Sequence, residues 1–226
     1  MRVIDADGHV EENLDTFSDK YLDPAFRVLR PRVTGVDGLA YWVIEEQLYP
    51  RRVGPGCHNL GTPTNVNGQV AAHTMGKQES IASMELDDIA ARLKLMDDED
   101  IAVQVIYTTL FLAYPLTTNV PLATALTSAY NRWMGQRLAG QARIKWSAVV
   151  NLDDIPGAVA QAREAKKLAA VSVMVLGTAG DDMLDHPRLD PLYAALCEEN
   201  LALGVHVGWS CPSINNLYSH IYPSGV

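Results

Sequence analysis

The sequence predicts an α/β fold of the (β/α)8 TIM-barrel type, incomplete, with about five strand-helix units and a small hairpin insertion after the first strand. Three observations carry this expectation. From residue 87 onward, β-rich apolar runs alternate with amphipathic helical stretches, which is the pattern of parallel βαβ units. The first run leads into Asp7-Gly8-His9-Val10-Glu11-Glu12, a turn with one glycine and several acids that would repel a pyrophosphate. This disfavours a doubly wound nucleotide-binding sheet, the alternative that periodicity leaves open. The last run, Leu203-Gly204-Val205-His206-Val207, ends in a histidine as the first does.

Each element has a local reason. Val3-Ile4-Asp5-Ala6-Asp7 reads as a buried strand. Residues 11–86 are polar and rich in Gly and Pro, an insertion of the length that usually serves as a lid or mobile loop. Within it, Leu39–Val43 and Gln47–Tyr49 can pair as a hairpin around Ile44-Glu45-Glu46, and Gly54-Pro55-Gly56 breaks regular structure. Asp87 to Met96 places Ile89, Leu93 and Met96 on one helical face. Ile101–Thr108 is a strand, and Pro121–Leu138 is a helix with Leu126, Tyr130, Trp133 and Met134 in one stripe. Ile144–Val150 is the next strand. Asp154 caps a helix that opens on Ile155-Pro156 and runs to about Ala169. Val171–Val175, Asp190–Asn200 and Leu201–Val207 complete the series as strand, helix and strand.

Composition narrows the function classes. The chain has 226 residues, 48% of them hydrophobic, enough for a sizeable core in one domain spanning 1–226. A net charge of −9 argues against nucleic acid, which demands a basic face. Cys57, Cys197 and Cys211 lack any C-x-x-C spacing, so a reducing compartment is expected. No leader-like segment precedes the first strand and no run reaches the ~18 apolar residues of a membrane span. The expectation is a cytoplasmic protein acting on a small molecule, with a homo-oligomer as an open option.

The chemistry-bearing residues cluster at strand ends. Alternate side chains of a strand share a face, so Asp7 and His9 stand side by side as half of a divalent-metal site. His206 is the natural third ligand because it also ends an apolar strand. Glu12 is near enough in sequence to support the ligands or to face the substrate, and Trp209 follows His206 where it can wall an aromatic substrate or simply pack. The remaining candidates read more plainly. His58 and His73 are solvated loop residues, His186 before Pro187 is a turn residue, and His220 lies in the terminal segment. Arg51 and Arg52 are surface residues, Asp97 to Asp100 form a solvated turn, and Cys197 falls on a helix face as core.

Four segments in order, Ile4 to His9, Leu95 to Val105, Tyr130-Asn131-Arg132-Trp133, and Leu189-Asp190-Pro191-Leu192-Tyr193 followed by Val205-His206-Val207-Gly208, resemble the amidohydrolase-related family. The nearest branch is that of aminocarboxymuconate-semialdehyde decarboxylase and its relatives. The resemblance implies a distorted TIM barrel with a mononuclear metal at its C-terminal mouth, held here by Asp7, His9 and His206. Zn²⁺ is the first expectation; a carboxylate at position 7, where many members have histidine, hardens the site and makes Mn²⁺ the second. Asp100 stands where members often have glycine, consistent with a left-handed residue.

The resemblance also implies a catalytic histidine near strand six and an aspartate on strand eight, and the sequence stops at Val226 before either. The catalytic residues are therefore expected beyond this chain. Five strands leave two unpaired edges, so completion by further strands, or weak metal binding without them, is expected. Two functions follow: a metal-dependent hydrolase or decarboxylase acting on a small carboxylated acid, with an aromatic one as an open option, and a catalytically inactive partial barrel serving as remnant or interaction module.

Overall fold

Residues 3–50, 63–66, 69–70, 80–113 and 116–206 are described by a computed structural model of the chain. In chain order they form β1 (Val3–Val10), β2 (Arg32–Val36), β3 (Leu39–Ile44), β4 (Gln47–Tyr49), β5 (Asn65–Val66), β6 (Gln69–Val70), α1 (Ile81–Met84) and α2 (Ile89–Asp98). Then follow β7 (Ile101–Thr108), α3 (Val120–Arg137), β8 (Ile144–Val149), α4 (Ile155–Lys167), β9 (Ser172–Leu176), β10 (Thr178–Ala179), β11 (Asp182–Met183), α5 (Asp190–Glu198) and β12 (Ala202–His206). From α2 onward the predicted elements are present, with ends that differ by a few residues. The hairpin is β3-β4, and β2 adds a third antiparallel strand that the polar sequence around Arg32 had hidden.

The main sheet is parallel throughout, in the order β1-β7-β8-β9-β12. Helices alternate with its strands and cover one face, as βαβ units require. Helix starts follow their caps: Asp88, Asn119 and Asp154 accept hydrogen bonds from the amides of Ala91, Leu122 and Gly157. Asp100 adopts φ +58° in the tight turn into β7, the left-handed conformation expected there.

The core is centred on α3. Trp133, Tyr130, Leu122 and Leu126 of α3 are fully buried, together with Trp146, Ala148 and Val173 of the sheet. Of the polar groups buried beside them, Asn131 and Gln161 are hydrogen-bonded, whereas the Tyr130 hydroxyl and the Trp133 indole nitrogen have no hydrogen-bond partner among the described residues. The Asn131 side chain donates to the Val149 carbonyl at 2.8 Å and accepts from the Val149 amide at 3.0 Å. Gln161 of α4 accepts from the Asn151 amide and donates to Thr127.

Two expectations change. β1 is not a buried strand: Val3 is 40% and Ile4 66% exposed, because β1 is an outer strand of the sheet among the described residues. The described part of the insertion contributes Phe17, Tyr21, Leu22, Trp42 and Ile44 to the main core. Cys197 is exposed rather than buried. The apolar stripe of α5 runs through Leu192, Ala195 and Leu196, and the next residue turns off it. His186 is a turn residue as expected, its ring nitrogen accepting from the Arg188 amide at 3.2 Å.

Candidate metal centre

β1 and β12 are four strand steps apart, about 19 Å in a flat sheet with strands ~4.8 Å apart. Instead, the His206 Nε2 lies 3.0 Å from Asp7 Oδ1. The sheet curls enough to bring its two outer strands together at their C-terminal ends. His9 Nε2 is 3.6 Å from the same Asp7 oxygen, and the His9 and His206 rings meet edge to face at 5.1 Å between centroids. One ligand atom from each of Asp7, His9 and His206 falls within 4.8 Å of the others, so three donors from opposite sheet edges converge on one point.

The local backbone explains part of this. β1 pairs in register with β7 at Gly8–Ile106, His9–Tyr107 and Val10–Thr108, after an irregularity between Asp5 and Gly8. Gly8 is required by crowding: a Cβ there would stand 2.7 Å from the Gln104 side chain. Gln104 in turn donates to Asp5 at 2.6 Å and accepts from Arg92 Nε at 2.9 Å, and Arg92 also donates to the His9 carbonyl at 3.1 Å. A buried polar chain thus ties the start of α2 to the strand that carries two of the three donors.

Protonation states suit metal binding. His9 Nδ1 lies 2.9 Å from the Thr108 carbonyl, which can only accept, so Nδ1 carries the proton and Nε2 presents its lone pair towards Asp7 and His206. Burial holds the His9 imidazole below the ordinary histidine range, with the neighbouring His206 adding to this and the Thr108 bond and Asp7 opposing it. A neutral imidazole is the ligand form. Asp7 is 73% exposed, whereas the His206 side chain is only 10% exposed, so the carboxylate forms the open side of the cluster.

Glu12 lies behind this cluster. It is buried, accepts from the Thr108 hydroxyl and from the Leu110 amide at 2.9 Å, and the Phe111 amide donates to the Thr108 oxygen at 3.0 Å. Burial raises the Glu12 carboxyl to about 7, against the lowering effect of those bonds. Both carboxylate oxygens are engaged by the segment whose carbonyl orients His9. Trp209 lies outside the described residues, as do His58, His73, His220, Arg51 and Arg52. Two contributors escaped sequence reasoning. Thr108 acts through its backbone carbonyl, which no side-chain pattern reveals. Tyr107 sits with ring centroids 6.3 Å from His9 and 5.3 Å from His206, and its alternation with Val105 along β7 is the one signal that could have marked it.

No family model and no curated protein matches this chain. Solved structures do. An amidohydrolase from Mycobacterium avium subsp. paratuberculosis K-10 aligns over 99% of this chain and 62% of its own, at 21% identity and a TM-score of 0.68. The 5-carboxyvanillate decarboxylase of Novosphingobium aromaticivorans, solved with manganese and 3-methoxy-4-hydroxy-5-nitrobenzoic acid, aligns over 68% of this chain and 45% of its own, at 17% identity and a TM-score of 0.54. The chain therefore has the fold of the amidohydrolase TIM barrels, and it spans about three-fifths of the length of the first of these structures.

Proposed function

We propose that this chain carries the metal-binding half of a barrel-mouth active site, in a hydrolase or decarboxylase that acts on a small carboxylated, aromatic acid. The observation that supports this reading best is the convergence of Asp7, His9 and His206 from opposite edges of the sheet. The donor set of two imidazoles and one carboxylate fits a divalent ion of the Zn²⁺ or Mn²⁺ type. Bound there, such an ion supplies Lewis-acid polarisation of a substrate oxygen.

The protein's own groups have defined parts in this reading. His9 Nε2, His206 Nε2 and an Asp7 oxygen hold the ion, and the Thr108 carbonyl keeps His9 in the correct tautomer. The exposed side of Asp7 leaves the cluster open for a substrate carboxylate to approach. Decarboxylation is preferred over hydrolysis, because the carboxylate-first pair Asp7-x-His9 resembles that of the decarboxylases, and a relative in fold is a decarboxylase.

The test is calorimetric titration of Zn²⁺ and Mn²⁺ into the metal-stripped chain and its His206→Ala variant, followed, in a protein that also carries the remaining barrel strands, by a screen for CO2 release from hydroxybenzoates. Saturable binding of one ion, weak without the remaining strands, that is lost in His206→Ala is expected. Binding that ignores the substitution would overturn the metal assignment. Metal binding with hydrolysis and no CO2 release across the screen would overturn the preference for decarboxylation alone.

A further inference from the structure

Tyr107 belongs to β7, three strand steps from β12 in the sheet, or about 14 Å if the sheet were flat. Yet its ring crosses the concave face to reach β12. It lies 5.3 Å from the His206 ring at a tilt of 49° and 6.3 Å from the His9 ring at a tilt of 41°. The two imidazoles contact each other edge to face, so the three rings form one packed triangle.

The space for this ring exists because residue 204 has no side chain. A Cβ on Gly204 would stand 2.9 Å from the Tyr107 hydroxyl oxygen and 3.2 Å from its ring. Gly204 is two residues before His206 and shares its face of the strand. It does not lie at positive φ, so backbone freedom is not its purpose. Close approach is.

We infer that Tyr107 is a positioning residue for the metal centre: its ring braces the His9 and His206 imidazoles at the angle at which both face Asp7, and Gly204 is the notch that admits it. The inference rests on the metal reading above but makes a separate claim about the rings. The contact is between the rings, at tilts of 41° and 49°, with the hydroxyl against Gly204, so an unsubstituted ring suffices. A ligand imidazole that can rotate loses the orientation that binding needs, and groups that orient a ligand are typically worth 10- to 100-fold in affinity.

The experiment compares the wild-type chain with Tyr107→Phe, Tyr107→Ala, Gly204→Ala and the Gly204→Ala/Tyr107→Ala pair. It reads Mn²⁺ affinity by calorimetry and the histidine ring resonances of the metal-free protein by NMR. Tyr107→Phe is expected within about twofold of wild type, and Tyr107→Ala about tenfold weaker. Gly204→Ala is expected to match Tyr107→Ala, with the pair no worse than either single change, since both remove the same contact. The His9 and His206 resonances are expected to move in Tyr107→Ala and hold in Tyr107→Phe. Equal loss in Phe and Ala would overturn the role of the ring in favour of the hydroxyl. Unmoved resonances in Tyr107→Ala, or additive losses in the pair, would overturn the bracing contact. Failure of the wild-type chain to bind Mn²⁺ would instead overturn the metal reading, and the resonances of the metal-free protein would still decide the role of Tyr107.

Discussion

Strands β8 and β9 have neighbours on both sides and bury nearly every side chain, whereas β1 and β12, the outer strands among the described residues, leave Ile4 66% and Val205 60% exposed. The centre is held by large apolar groups such as Trp133 and Trp146 and by polar pairs that are fully engaged, as at Asn131 and Val149. At the edges the Thr108 carbonyl holds His9, the Tyr107 ring packs on His206, and much of Asp7 faces solvent. Stability therefore resides in the middle of the sheet, and the groups capable of chemistry sit where the sheet contributes least to it.

This contrast can be broken by measurement. The largest expected effect is in the centre: Trp133→Ala should cost about 3–5 kcal/mol in denaturant unfolding, as truncation of a fully buried aromatic does. A loss under about 1 kcal/mol would show that the centre is not where stability lies. The next concerns Glu12, whose buried carboxyl titrates near 7 in the folded chain against an ordinary 4.5. Between those values the folded state binds more protons than the unfolded state, so stability falls as pH rises from about 4.5 through about 7. At ~1.4 kcal/mol per unit, the loss is about 3 kcal/mol, and Glu12→Gln should flatten that slope in melts recorded between pH 4.5 and 8.

At the edges, Mn²⁺ at a hundredfold excess over its dissociation constant should raise the unfolding free energy by about 2.7 kcal/mol. Thermal melts with and without chelator check this; an unchanged midpoint would mean that no ion joins the outer strands. The smallest effect is expected at Ile4→Ser, within about 0.5 kcal/mol, because that side chain already faces water. A loss above about 2 kcal/mol in the same assay would mean that β1 is covered in solution, and the contrast between centre and edge would fall.

Much of the arrangement was legible along the chain. The alternation of β-rich and amphipathic runs from residue 87 onward marked the strands and helices because each repeats a local period that burial of one face enforces. Asp7, His9 and His206 stood out because all three follow apolar runs at strand ends. Burial of β1 was misjudged for a related reason: an apolar run has the same composition whether its strand is flanked on one side or on both. Cys197 was misplaced because one residue's shift around α5 moves a side chain off the apolar stripe. Within the insertion the hairpin was legible, but not that Phe17, Tyr21 and Trp42 are buried in the common core. Their spacing follows no period that a pattern could detect.

The sequence by itself determined the parallel strand-helix series and the identity of the three donors, since both follow from side-chain chemistry and local periodicity. Only the tertiary structure decided that those donors meet, that the Thr108 carbonyl selects the His9 tautomer, and that Tyr107 reaches the notch at Gly204. These depend on how far the sheet curls, a property summed over strand twist and helix packing across the whole domain, which no single segment encodes.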